Sequence, residues 1–362
     1  MSDPASAARS AFHSLLVTQV QRETADAVVV TFAVPARLRD ALRFTPGQYL
    51  TLRAMIDGAD IRRSYSICSS PDESDLSVAI KRVEGGAFST WANRVLKAGD
   101  TVSVMSPDGR FGLAPRPASE PEMARCYAAF AAGSGITPIL SLMKTVLAAE
   151  AESRFFLFYG NRSTDSIMFR GALEDLKDRY LSRLSVFHIL SREQQDIAVL
   201  NGHLDADKVR HLAATLPPMD EAFVCGPQPM IEGLPPVLAQ LGMGRVHVER
   251  FTPSAAGRRP PAAIADDAAP ACVATVIHEG SRVEIPVAEG EALIDAAIRA
   301  GRNLPYSCKG GMCCTCRARL LDGAVTMTAN YSLEPWEVDA GFVLTCQAHP
   351  LTARIVVDFD QV

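Results

Sequence analysis

The stretch YSCKGGMCCTCRARL, Tyr306 to Leu320, places four of the chain's nine cysteines within nine residues. The spacing is Cys308-x4-Cys313-x2-Cys316, with Cys314 inside it, and one further cysteine, Cys346, follows in LTCQAHP. Three thiolates on one tight loop and a fourth from a distant strand match plant-type 2Fe–2S spacing. Gly310 and Gly311 carry no Cβ, so the backbone can pass close to inorganic sulfides and aim N–H groups at them. With Cys313 turned inward, Cys314 reads as a small packed residue. The expected ligands are therefore Cys308, Cys313, Cys316 and Cys346. Two other readings stay open: a structural zinc site, which usually takes two close cysteine pairs, or unrelated buried thiols, the default for the scattered Cys68, Cys126, Cys225 and Cys272.

Upstream of this loop, residues 253–270 (PSAAGRRPPAAIADDAAP) have the aperiodic Ala/Pro composition of a linker. They set off a C-terminal unit, 271–362. Its strand patterns CVATVIH and RVEIPV precede the helical pattern EALIDAAIRAG. After the cysteine loop come RARLLDG, a short helix near Pro335 stopped by Gly341, then FVLTCQ and RIVVDF. Several strands around one main helix predict an α+β, β-grasp ferredoxin-type unit. Residues 116–252 alternate strand and helix patterns, which predicts an α/β doubly wound parallel sheet. Residues 1–115 are short alternating strands with Gly/Pro turns, an antiparallel β-barrel pattern. No internal repeat is present.

In the middle unit, AAGSGITPILSLMK closes a strand with Gly133 and Gly135, with Thr137 expected as the helix N-cap and Pro138 in the first turn. A helix start after a Gly-rich turn suits phosphate. Proline replaces the third glycine of G-x-G-x-x-G, so by itself the turn also reads as a plain strand–helix connection. The second strand ends in YGNRSTDS. Arg162 stands where an NAD site would carry an acid, so NADPH is favoured over NADH, the other reading being a solvated loop arginine. CGPQPM puts Cys225 and Gly226 at another carboxyl edge of the sheet, where ligands of such folds gather.

A nicotinamide delivers a hydride and an iron–sulfur centre moves single electrons, so a flavin is needed between them. The barrel offers a site. In RRSYS, Arg63 and Tyr65 share one strand face and Ser66 follows, suiting a pyrophosphate clamp, an aromatic platform and a hydrogen-bond donor. Gly85, Gly86 and Ser89 in KRVEGGAFSTW precede a helix and form a second phosphate cradle. Taken singly, each is equally a surface arginine, a core tyrosine or a turn.

The 362 residues suit two or three domains, and 48% hydrophobic with 21% charged residues is ordinary for a soluble globular protein. A net charge of −5 argues against nucleic acid or an anionic membrane as partner. No apolar run approaches the roughly 18 residues of a membrane span. The start, MSDPASAARSAF, lacks a signal-like apolar core. An odd cysteine count then favours reduced thiols and a cytoplasmic location. Residues 271–362 hold seven Lys/Arg and eleven Asp/Glu, so an acidic module would meet a basic face on its partner.

FTPGQYL, RSYS, GG..S, AAGSGITP, CGPQPM and VERF resemble the ferredoxin–NADP reductase superfamily. With the C-terminal cysteine unit, the chain is similar to reductases of multicomponent oxygenases. YGNR, FRGALEDLKD, NYSLEP and VVDFD read most like those serving a di-iron phenylacetyl-CoA epoxidase. The resemblance implies FAD on Arg63, Tyr65, Ser66, Gly86 and Ser89. It implies NADPH on Thr137, Arg162, Cys225 and Gly226, and Phe251 near the flavin ring. It implies electron flow from NADPH through FAD and the 2Fe–2S cluster to an oxygenase component, a di-iron hydroxylase or epoxidase. The alternatives are service to a Rieske-type aromatic or steroid oxygenase and a redox-sensing regulatory protein. Cys314 departs from the family pattern, where a small residue is more usual.

Overall fold

The computed structural model describes residues 12–113, 124–214, 216–251 and 270–361. In the first segment, Leu15 and Val17 are wholly buried while Leu16 between them is 49% exposed, so β1 (Phe12–Thr24) is a one-faced strand. It is followed by β2 (Ala27–Ala33), β3 (Tyr49–Ile56), β4 (Ala59–Ser66), β5 (Leu76–Lys81) and β6 (Thr101–Met105), in the sheet order β4-β3-β6-β1-β2-β5. All pairs are antiparallel. Two register shifts in β1 supply the bulges that bend a sheet, and a bridge between Ile67 and Val78 joins its two edges into a barrel. Val30, Phe32, Leu50, Leu52 and Val104 fill the interior, with α1 (Ala87–Arg94) adding Phe88 and Ala92.

The next unit follows β7 (Cys126–Ala132), α2 (Ile136–Ala149), β8 (Arg154–Asn161), α3 (Arg170–Arg179), β9 (Leu184–Leu190), α4 (Ala206–Ala213), β10 (Glu221–Cys225), α5 (Gln228–Gln240) and β11 (Arg245–Glu249). The sheet is wholly parallel, in the order β11-β10-β7-β8-β9. The run CYAAFAA of β7 shows why helices cover both faces. Tyr127, Ala129 and Ala131 join one core cluster, while Ala128 and Phe130 join another. On the second face Phe130, Phe158 and Phe187 stack across three strands at centroid spacings of 5.1 and 4.9 Å. Each aromatic pair adds about 0.5–1.5 kcal/mol beyond its buried area. The barrel is tied to this unit by Ser141 Oγ donating to Ser69 O at 2.7 Å and Phe169 N donating to Glu23 Oε1 at 2.6 Å.

The C-terminal unit contains β12 (Cys272–His278), β13 (Ser281–Val287), α6 (Leu293–Arg299), β14 (Arg317–Asp322), β15 (Val325–Met327), α7 (Pro335–Asp339), β16 (Phe342–Leu344), β17 (Ala348–Pro350) and β18 (Arg354–Asp358). The main sheet runs β13-β12-β18-β14-β16, with β12 and β18 parallel, and Ile294, Ala297, Leu344, Ile355 and Val357 form its core. Gly301, with φ +71°, lies just beyond α6, as its helix-stopping role requires. The small β15–β17 pair was not foreseen; three-residue strands carry no periodic signal. The linker expected over 253–270 lies outside the described residues except for Pro270. No helix among the described residues is long and apolar enough to cross a membrane.

Candidate redox site

The loop between α6 and β14 gathers the cysteines, and Cys346 reaches them from the turn between β16 and β17. Cys308 contacts Cys313, and Cys316 contacts Cys346. The hydrogen bond from Cys313 is the main cause lowering the Cys308 thiol to about 6; burial opposes it, and the amides of Gly310, Met312 and Cys313 assist. Contact with the partner sulfur, and then burial, push Cys313 and Cys316 up. Gly310 N donates to Cys308 Sγ at 3.3 Å, an amide aimed at sulfur as the glycine content suggests. Gly311 has φ +76°, and a Cβ there would lie 2.8 Å from Ala329 O. Cys314 is turned aside to bond Ser332, and burial raises its thiol to about 11.

Among the described residues no three His, Cys, Asp or Glu side chains converge as one metal ion would need. Cys316 is also close enough to feel the charges of Cys313 and Cys308, so the two bonded pairs form one four-thiol cluster, a donor set that would suit a 2Fe–2S group. Sequence reasoning passed over Gln347, whose amide donates to Lys309 O and Cys346 O, each at 3.0 Å, and to Cys346 Sγ at 3.6 Å. Its only signal was adjacency to the isolated cysteine.

The barrel's edge strand β4 carries Arg63, Tyr65 and Ser66. Arg63 is exposed, Tyr65 packs on Phe88 at 5.6 Å between centroids, and Ser66 is buried. Burial pushes the Tyr65 phenol up, so it is neutral across physiological pH. Gly86 is the N-cap of α1, with Gly85 just before it at φ +69°. Ser89 Oγ accepts from Val83 N at 3.1 Å and donates to Gly86 O at 3.2 Å, so this hydroxyl shapes the turn.

At the carboxyl edge of the parallel sheet, Gly133–Gly135 form one 3₁₀ turn leading into α2. A Cβ on Gly135 would lie 2.0 Å from Cys225 O, so only glycine lets the turn press against the end of β10. At Gly226 a Cβ would meet Met230 Cε at 2.3 Å. Thr137 is not the N-cap expected of it: Gly135 holds that place, and Thr137, buried in the first turn, donates to Ser134 O at 3.0 Å. The residue before Thr137 already has helical geometry because the 3₁₀ turn starts the spiral early. Arg162 is exposed just past β8. Arg192, from the neighbouring β9 edge, donates its backbone N–H to Arg162 O at 2.8 Å. Arg192 had no motif to mark it; only the β8–β9 pairing makes it a neighbour.

The three units meet around a cleft of about 970 Å³, lined by Tyr49, Asp108, Arg110, Glu249, Arg250 and Cys313 among others. Glu249, register partner of Cys225, keeps some surface open to this cleft, yet burial, followed by the nearby Asp108 carboxylate, raises its carboxyl to about 8. Burial and then Glu249 likewise push the Cys225 thiol up. Glu249 lay within VERF but was not singled out as a site residue. Phe251 is 39% exposed. The Tyr49 hydroxyl donates to Cys313 O, and Arg110 of the barrel pairs with the buried Glu337 of α7, which also holds Arg317.

A flavin-type barrel, a nucleotide-type parallel sheet and a cage of paired thiols meeting at one cleft define an electron-transfer oxidoreductase. Three family descriptions match successive parts of the chain: "Oxidoreductase FAD-binding domain" over 14–112, "Oxidoreductase NAD-binding domain" over 130–235 and "2Fe-2S iron-sulfur cluster binding domain" over 276–351. One subunit of the 1,2-phenylacetyl-CoA epoxidase of Escherichia coli (strain K12) is 48% identical over 356 residues, covering 96% of this chain and 98% of that protein. The ferredoxin reductase component of 3-ketosteroid-9-alpha-monooxygenase from Rhodococcus rhodochrous is 34% identical over 353 residues, covering 95% and 96%. The solved structure of phthalate dioxygenase reductase superposes with a TM-score of 0.58 at 22% identity, covering 96% of this chain and 98% of that one. The chain belongs to the reductase components of multicomponent oxygenases, within the ferredoxin–NADP reductase superfamily. The expected three-part fold is thereby borne out, and domains for FAD, nicotinamide nucleotide and a 2Fe–2S cluster are present.

Proposed function

We propose that this chain is the NADPH-dependent reductase of a di-iron oxygenase component acting on phenylacetyl-CoA. The observation that carries this is 48% identity along almost the whole length of one component of a phenylacetyl-CoA epoxidase. When bound, FAD and a 2Fe–2S cluster convert hydride-derived electron pairs into single electrons.

The chain's own residues bind and orient. Arg63 offers a planar cation to a pyrophosphate, Tyr65 a neutral aromatic face, and Ser66 a donor at the barrel edge. Gly85, Gly86 and Ser89 build the turn that presents the amides of α1. Gly133, Gly135 and Thr137 shape the nucleotide turn, with Cys225 and Gly226 closing it. Arg162 and Arg192, adjoining at the sheet edge, suit the 2′-phosphate of NADPH. The neutral Glu249 lines the cleft, and the exposed Phe251 follows two residues later as the aromatic candidate for the flavin ring. Cys308, Cys313, Cys316 and Cys346 ligate the irons. A cytoplasmic site of action suits this set of reduced thiols.

Reconstitution tests the proposal. Mixed with the di-iron components of an epoxidase, the protein should couple NADPH oxidation to loss of phenylacetyl-CoA. NADPH oxidation without substrate loss, alongside productive coupling to a steroid oxygenase, would overturn the assignment. That second outcome is the competing reading, supported by 34% identity to the 3-ketosteroid-9-alpha-monooxygenase component.

A further inference from the structure

The two faces of β4 have different neighbours. Tyr65 turns toward the barrel, against Phe88, and Arg63 shares its parity. Arg62 and Ser64, the alternating residues, meet the C-terminal unit just ahead of Cys308. Arg62 is 4% exposed, and its Nη2 donates to Asn303 Oδ1 at 2.6 Å and to Asp60 Oδ2 at 3.1 Å. Its Nη1 donates to Leu304 O at 3.2 Å. The guanidinium lies 4.2 Å from the Tyr306 ring centroid and 5.1 Å from that of Phe12. Two positions along, Ser64 Oγ and Ser307 Oγ are 2.8 Å apart, and Ser307 is itself buried.

A buried cation is tolerated only where charge and hydrogen-bond partners meet it. Asp60 supplies the charge from the barrel, while Asn303 and Leu304 supply acceptors from the other unit. Within this guanidinium only Nε lacks a partner among the described residues. Separating the units would leave this fork half-empty, so the contact is specific in geometry and not a loose packing of surfaces.

We propose that Arg62 and Ser64 are positioning residues that seat the Asn303–Cys308 segment on the reverse face of the flavin-binding strand, fixing the separation between flavin and cluster. This rests on the reductase function proposed above. Neither residue belongs to the proposed flavin, nucleotide or iron contacts, so their effect is confined to the step between the two bound groups. Single-electron transfer between two bound groups slows as their separation grows, so a shift of this segment is felt in that step.

The test uses holoprotein with FAD and cluster bound, in the variants Arg62→Ala, Arg62→Lys and Ser64→Ala. Ferricyanide serves as acceptor from the flavin and cytochrome c as acceptor from the cluster, the two routes being distinguished with a Cys346→Ser control. Arg62→Ala should lower cytochrome c reduction several-fold with ferricyanide reduction unchanged, and Arg62→Lys, lacking the fork, should restore little. Ser64→Ala, a single hydroxyl deletion, should act in the same direction and guards against misfolding of the arginine variant. Independently of turnover, backbone hydrogen exchange over 303–308 should accelerate in Arg62→Ala. Equal loss with both acceptors, no loss with either, or unchanged exchange would overturn the positioning role. Wild-type protein that cannot reduce ferricyanide with NADPH would overturn the functional proposal beneath it.

Discussion

Replacing Glu337 with glutamine probes whether the C-terminal unit rests on the barrel in solution as it does here. The carboxylate side chain is 0% exposed, paired with Arg110 of the barrel (46% exposed) and Arg317 of its own unit (17% exposed). Burial alone would raise its pKa, but hydrogen bonds from Arg110 and Glu334 N, with both arginine charges, hold it at about 2. That is about two units below an ordinary glutamate near 4.3, equivalent to about 3 kcal/mol. Because Arg110 is nearly half solvated, the share crossing between units is about 1–2 kcal/mol. The folded value is depressed, so this stabilisation is complete above about pH 4.3 and disappears as pH falls toward 2. A double-mutant cycle of Glu337→Gln and Arg110→Gln, followed by denaturant unfolding at pH 7, should give a coupling of about 1–2 kcal/mol. A coupling below about 0.3 kcal/mol would refute the reasoning and show that the pair does not hold the units together.

Other outcomes follow from the same geometry. Arg162→Ala and Arg192→Ala should each raise the KM for NADPH about tenfold while leaving NADH little changed; equal losses would remove the 2′-phosphate assignment. Cys346→Ser should lose iron and acid-labile sulfide, whereas Cys314→Ser, altering a side chain turned toward Ser332, should keep both on metal analysis. With Glu249 titrating at about 8, NADPH-driven dye reduction should fall as pH rises through that value, and Glu249→Gln should flatten the limb. Gly135→Ala, driving a Cβ to 2.0 Å from Cys225 O, should cost about 2 kcal/mol of stability in thermal melts and weaken nucleotide binding.

What could be read from sequence was what local spacing encodes. Cys308, Cys313 and Cys316 announce themselves within nine residues, and the unbroken apolar run CYAAFAA specifies a strand buried on both faces before any neighbour is known. Even Cys346 was recoverable, because three ligands demand a fourth and no other cysteine follows the loop. What pairs with what was not recoverable. The coupling of Cys308 with Cys313 and of Cys316 with Cys346 depends on how the β16–β17 turn meets the loop. Arg192 becomes a neighbour of Arg162 only through β8–β9 register, and Glu249 becomes a shifted carboxyl only where three units enclose it. Thr137 was misplaced because the capping rule assumes an extended residue before the helix, and here a 3₁₀ turn stands there.

The alternation along β4 also constrains what changes this strand can accept. Substitutions at Arg63 and Tyr65 address one side, and those at Arg62 and Ser64 the other, so each side can be altered without touching its opposite. A single residue inserted or deleted between Arg62 and Tyr65 reverses the parity of one relative to the other, so the two cannot both keep their present neighbours. Spacing between Arg62 and Tyr65 is therefore restricted alongside the identities of the residues themselves.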